Sequence, residues 1–157
     1  MNKKPWMIYA IGILSAEAVG GLSALLTHSA MDTFSQQVQQ PPLAPPMILF
    51  PIVWSILYAL MGFGAARIYM APPSKERSKA LNIYVAKLIV NFFWSLIFFN
   101  AQAYGFAFFW LLLLWALVLW MILTFRKIDP LAAWLQVPYL LWLTFAAYLN
   151  AGIWLLN

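Results

Sequence analysis

Trp54, Tyr58, Asn91, Trp94, Trp142 and Asn150 are the side chains of this sequence with the most chemistry to offer, and their spacing is regular. Pro51, Trp54, Tyr58 and Gly62 recur at i, i+3/i+4 intervals. So do Lys87, Asn91, Trp94/Ser95 and Phe98, and so do Pro138, Trp142, Ala146 and Asn150. This period puts each set on one face of its own helix. Indole and phenol rings give flat apolar surfaces on which a planar ligand stacks, with an N–H or O–H at the edge to orient it. An asparagine inside an apolar helix must find a partner or face a wet cavity. Helix packing alone accounts for any one such stripe. Three stripes that each carry polar and aromatic members predict a shared ligand pocket.

Two charges sit deep in the apolar sequence, Glu17 and Lys87. Each costs roughly 2.5–3.5 kcal/mol at the centre of a bilayer unless it finds a partner or water. Their signs are opposite and their depths similar, so they read as a mutual ion pair, with a snorkelling Lys87 as a variant, or as a polar wall of the pocket. Conventional catalysis has no support. There is no cysteine, hence no disulfide, thiolate metal site or Cys nucleophile. Nothing resembles a hydrolytic triad or a phosphate loop, the single histidine, His28, falls in an expected loop, and no cofactor is expected.

The elements that must carry these residues are membrane helices. The chain has 157 residues, 65% hydrophobic and 8% charged, with a mean hydropathy of +0.83, whereas soluble domains are about 25% charged. The net charge of +5 sits in short inter-helix loops, a topology signal and not a nucleic-acid face. A hydrocarbon core of roughly 30 Å needs about 20 apolar residues. Five segments supply them: Pro5–Thr27, Met47–Met70, Ala80–Phe99, Gly105–Phe125 and Leu131–Leu156. The fold class expected is an all-α five-helix transmembrane bundle, one domain over residues 1–157. Pro72-Pro73, Ala101–Gly105 and Asp129-Pro130 punctuate it.

Basic residues alternate between the loops. Lys3 and Lys4 precede span one, Lys75, Arg77 and Lys79 follow span two with Arg67 nearby, and Arg126 and Lys127 follow span four; the other loops and the C-terminus have none. The positive-inside rule then places the N-terminus in the cytoplasm and the C-terminus outside. No A-x-A site follows the first apolar run, which reads against a cleaved signal. Trp54, Trp94 and Trp142 lie inside their spans. Trp6 and Trp154 read as interfacial belt, and Trp110, Trp115 and Trp120 as belt or lipid-facing packing. Gly12, Ala16, Gly20 and Ala24 form a small-residue seam for close helix contact, within the monomer or between subunits.

Between spans one and two, "QQPPLAPPMILFPIVW" (Gln39–Trp54) sets five prolines directly against an apolar helix. Proline fixes φ and lacks an N–H, so Pro41, Pro42, Pro45 and Pro46 are expected to hold this segment extended, in polyproline-like geometry. Pro51 falls in a first helical turn, where the missing N–H is tolerated.

"PPLAPPMILFPIVWSILYALMGFG" (Pro41–Gly64), "NFFWSLIFF" (Asn91–Phe99) and "DPLAAWLQVPYLLWLTFAAYLN" (Asp129–Asn150) resemble the translocator protein family, the tryptophan-rich sensory proteins or peripheral-type benzodiazepine receptors. The resemblance covers nearly the whole chain. It implies a five-helix bundle, commonly a homodimer, in the bacterial cytoplasmic membrane. The implied pocket, under the proline-rich loop, binds porphyrins such as protoporphyrin IX, haem-like tetrapyrroles and hydrophobic drug-like ligands. The matching positions are Trp54, Asn91, Trp142 and Ala146, with Pro45, Pro46 and Trp94 adjacent and Ile48, Tyr58, Lys87, Pro138 and Asn150 as further candidates. Trp54 and Trp142 match the tryptophans assigned to a light-dependent porphyrin degradation reported for some bacterial members. This chain departs from the pattern at Leu43 and Ile48, where the family usually has Trp, at Phe34-Ser35 in place of Trp-Tyr, and at Lys87 in place of glutamine. Tyr148 is followed by no basic residue, so a cholesterol motif is missing. Lys87 is an expected partner for a porphyrin propionate. A receptor or carrier therefore ranks first, a porphyrin-degrading enzyme second, and a small proton-coupled exporter with a membrane Glu a distant third.

Overall fold

The computed structural model describes residues 4–157; Lys3, part of the charge argument, lies outside them. Among the described residues five helical spans are long and apolar enough to cross a membrane. They are α1 (Pro5–Gln37), α2 (Leu49–Tyr69), α3 (Lys75–Ser95, continued by a π-helical turn over Leu96–Asn100), α4 (Tyr104–Ile128), and a fifth span built from α5 (Pro130–Trp134) and α6 (Val137–Leu156). The chain is an all-helical integral membrane bundle.

Two helix ends lie well beyond the sequence reading. Helix α1 runs ten residues past Thr27, to Gln37, so His28 is helical and faces Asp32 one turn on, at 3.7 Å. Residues 28–37 are mostly polar but hold no Gly or Pro, and Phe34 anchors the extension among Phe98, Phe99 and Tyr104. At 1.5 Å per residue the 33-residue helix is about 50 Å long, so its last turns rise beyond a hydrocarbon layer of roughly 30 Å. Helix α3 begins five residues before Ala80. Ser74 caps it, its Oγ accepting the Arg77 N–H at 3.1 Å, and Glu76 complements the dipole in the first turn.

The fifth span is interrupted at Leu135–Gln136. Pro138 has no N–H to offer the carbonyl of Trp134, and its ring crowds that carbonyl. The interruption changes the neighbours of the span: α5 packs on α2 and α4, whereas α6 runs along α4. Asp129 starts α5, its carboxylate accepting the Leu131 N–H. Its other oxygen, 2.6 Å from Arg67 Nε, ties that start to α2, and Arg67 Nη1 lies 3.3 Å from the Tyr9 hydroxyl of α1. The basic end of the bundle is thus cross-braced.

The proline-rich segment is not uniformly extended. The Ala44 N–H donates to the Pro41 carbonyl at 3.3 Å, and Leu43 has φ of 71°. Proline second and a left-handed residue third define a type II turn, in which glycine is usual. Leucine at this place is 81% exposed, so solvent accommodates its side chain.

The small-residue seam is used inside the monomer. A Cβ on Gly12 would meet the Gly62 carbonyl oxygen, and one on Gly20 would meet the Tyr58 ring at 2.6 Å. Ala16, between them, is fully buried. Helices α1 and α2 approach along this line. Trp110 and Trp115 are half-buried and bridge to neighbouring helices as donors, to the Val90 carbonyl at 2.7 Å and the Thr144 hydroxyl at 2.9 Å.

Candidate functional site

At the end of the bundle opposite the basic loops, α1, α2, α3 and α6 enclose a cavity of about 130 Å³. Each helix contributes the half nearest the proline-rich segment. From α2 come Phe50, Pro51, Trp54 and Tyr58. From α3 come Asn91, Trp94 and Ser95, with Phe98 and Phe99 presented by the π-helical turn, and from α6 come Trp142, Ala146, Leu149, Asn150 and Ile153. The π turn is closed by the Ala101 N–H on the Leu96 carbonyl at 2.9 Å. Such a turn widens the helix and re-aims its side chains.

The polar atoms of the wall are fixed by one another. The Tyr139 hydroxyl donates to Asn91 Oδ1 at 2.6 Å, and Asn91 Nδ2 donates to the Tyr58 oxygen at 2.7 Å. Both ends of the Asn91 amide are therefore held, and the Tyr58 oxygen keeps its own proton for another acceptor. Asn150 accepts from Trp94 Nε1 at 3.2 Å and donates to the Tyr104 carbonyl at 2.9 Å. The Trp142 Nε1 is buried and has no hydrogen-bond partner. A buried unpaired donor is costly, and this one belongs to a side chain of the cavity wall. Rings pair along the wall, with Trp54 5.7 Å from Tyr58 and Trp142 5.7 Å from Phe50.

Of the residues singled out from sequence, Trp54, Tyr58, Asn91, Trp94, Trp142, Ala146 and Asn150 are brought together on this wall; Pro45, Pro46, Ile48, Lys87 and Pro138 are not. Ile48 is 70% exposed, while Met47 and Gln40 line the cavity instead. Pro138 sits in the first turn of α6, where it shapes the span.

Lys87 departs most from expectation. It is 0% exposed, one helical turn from Asn91 and away from the cavity, with Nζ 2.7 Å from Met61 Sδ and 4.7 and 4.8 Å from the ring centres of Tyr84 and Tyr139. No charged residue lines the cavity, so Lys87 does not reach a carboxylate bound there. Nor does it pair with Glu17: among the described residues the ion pairs are His28–Asp32 and Arg67–Asp129. Glu17 is only partly covered on α1. Two helix faces that are similar in depth need not point at each other.

A buried amine facing rings and a thioether, with no carboxylate, gains less than it loses by leaving water. Lys87→Met, similar in length and apolar, is expected to raise the thermal unfolding temperature in detergent, by about 1 kcal/mol or more of stability. Glu17→Gln added to it should act independently. A lower unfolding temperature for Lys87→Met would show that the amine has a partner which these contacts do not provide.

The contribution of α1 is absent from the sequence reading. Gly20, Ser23, Thr27, Met31 and Phe34 all line the cavity. They continue the Ala16 face at helical spacing, which was the available signal. Among the described residues no group of three or more His, Cys, Asp or Glu could hold a metal.

Residues 10–155 match the model of the TspO/MBR family. The chain is 34% identical over 153 residues to the translocator protein of Ovis aries, covering 96% of this chain and 90% of the relative. It is 33% identical over 158 residues to the tryptophan-rich protein TspO of Chlorobaculum tepidum, covering 100% and 99%. With protein CrtK of Rhodobacter capsulatus the identity is 30% over 151 residues, covering 96% and 92%.

Proposed function

Because the chain belongs to the TspO/MBR family of membrane translocator and sensory proteins, we propose that it is a receptor or carrier for flat hydrophobic ligands, tetrapyrroles such as protoporphyrin IX above all. The observation that carries this reading is the cavity wall: indoles from three helices, Trp54, Trp94 and Trp142, stand around one apolar space. With no charge on the wall, the carboxylates of a tetrapyrrole remain at the mouth. Pockets for drug-sized ligands measure about 300–1,000 Å³, more than the 130 Å³ of this cavity, so segment 38–48 is expected to shift as a lid on loading. That lid is latched to α6 by Tyr148, whose hydroxyl donates to the Pro42 carbonyl at 2.6 Å, by Asn157 paired with the backbone of Gln39, and by Pro41 seated on Gly152. A bacterial cytoplasmic membrane with the basic end inside fits the loop charges. A homodimer would use faces other than the occupied Gly12–Gly20 seam.

Tryptophan-fluorescence titration of the purified protein with protoporphyrin IX tests the reading. Quenching should saturate in the micromolar range, and Trp142→Phe should weaken binding by about 1–2 kcal/mol through lost stacking area. Quenching that never saturates and ignores the substitution would reduce the effect to partitioning into detergent. Light-driven oxidation of the bound ring is the second reading, favoured by Trp54 and Trp142 both facing the cavity. It requires a photoproduct that disappears in Trp54→Phe.

A further inference from the structure

At the other end of α3, a groove opens between α3 and α4 at the basic pole. It shares no residue with the cavity. Its rim is a polar stripe on α3: Lys75, Ser78, Lys79 and Asn82 follow one another at i, i+3, i+4 and i+7 and share one helix face. The stripe runs about 10 Å along the axis, at 1.5 Å per residue. Its floor on α4 is apolar, Leu117 and Trp120. Lys79 Nζ lies 5.7 Å from the centre of the Trp120 ring, which is 49% exposed.

Two features call for an occupant. Neither lysine has a carboxylate partner among the described residues. Asn82 is exposed although the next turns of α3 expose Val85 and Ile89, residues that belong against lipid. A polar amide at that level needs a hydrogen-bonding neighbour.

We infer that this groove binds an anionic glycerophospholipid of the surrounding leaflet. Its phosphate sits against Lys75 and Lys79, the glycerol ester oxygens face Ser78 and Asn82, and an acyl chain runs over Leu117 beside Trp120. Basic recesses between membrane helices hold anionic headgroups in this way. Uncompensated lysines repel the ammonium of a zwitterionic headgroup, and a free phosphate leaves the apolar floor uncovered. The lipid alone matches both halves of the groove.

The test is native mass spectrometry of the full chain released from micelles containing equal phosphatidylglycerol and phosphatidylcholine. Phosphatidylglycerol adducts should dominate. Lys79→Gln should reduce their retention about fivefold, the factor equal to about 1 kcal/mol per lysine near an anionic surface, and Lys75→Gln should do the same. Leu117→Trp, which fills the apolar floor and leaves the charge intact, should also reduce it. Arg126→Gln, at the same pole but outside the groove, should not. Equal retention of the two lipids overturns the inference, as does an equal loss in Arg126→Gln, which would mean a diffuse positive field. Competition by glycerol 1-phosphate as effective as the lipid would also overturn it, leaving a phosphate site without a lipid.

Discussion

An Ala146→Phe variant is expected to lose ligand binding while its bundle remains folded. Ala146 lies on α6 one turn beyond Trp142 and one before Asn150, 7% exposed, and its methyl group faces the cavity. A benzyl group there projects into space that is empty in the folded chain, so it collides with the ligand before it collides with the protein. The cost to affinity is about 2–3 kcal/mol, the scale of steric overpacking in a closed site. The measurement pairs a protoporphyrin IX titration with a thermal melt. The melt should move by a few degrees at most. Parental affinity in a folded Ala146→Phe would remove α6 from the site, and with it the proposal that Trp142 stacks on the ligand.

Gly62→Leu should have the larger effect on stability. A Cβ at Gly62 would run into the backbone carbonyl of Gly12, and one at Gly12 into that of Gly62. Two backbones this close tolerate no side chain at either position, and neither helix can yield locally because Ala16 and Gly20 are packed on the same line. The leucine must push α1 away from α2, at about 3 kcal/mol or more, and Tyr58, packed on Gly20, moves with it. Gly21→Leu is the matched control, since a Cβ there meets nothing within 4 Å. Similar melting temperatures for the two variants would refute the contact.

The spans and the aromatic half of the wall were legible in the sequence because a 3.6-residue period survives errors in helix boundaries. Trp54, Tyr58, Asn91, Trp94 and Trp142 share faces wherever their helices begin. Period alone does not say where along a stripe the cavity stops. Lys87 has the same spacing to Asn91 as Trp142 has to Ala146, yet Tyr139 and Met61 close over it one turn from the wall. The α1 wall was hidden for a different reason. Residues such as Ser29, Asp32 and Gln36 carry weak or polar local signals, and they are helical because Phe34 finds Phe98 and Tyr104, residues more than sixty positions away. The turn at Leu43 was obscured because leucine is a poor choice for a left-handed position, and the four prolines around it argue for extension.

The interrupted fifth span gives Pro138 a significance beyond its own contacts. With α5 packed on α2 and α4, and α6 along α4, the span changes neighbours at Leu135–Gln136, and the residues it sends to the cavity, Trp142, Ala146 and Asn150 among them, all lie beyond that break. Pro138 touches no part of the cavity, so a substitution there would reach the wall only through the course of α6, leaving every lining side chain in place.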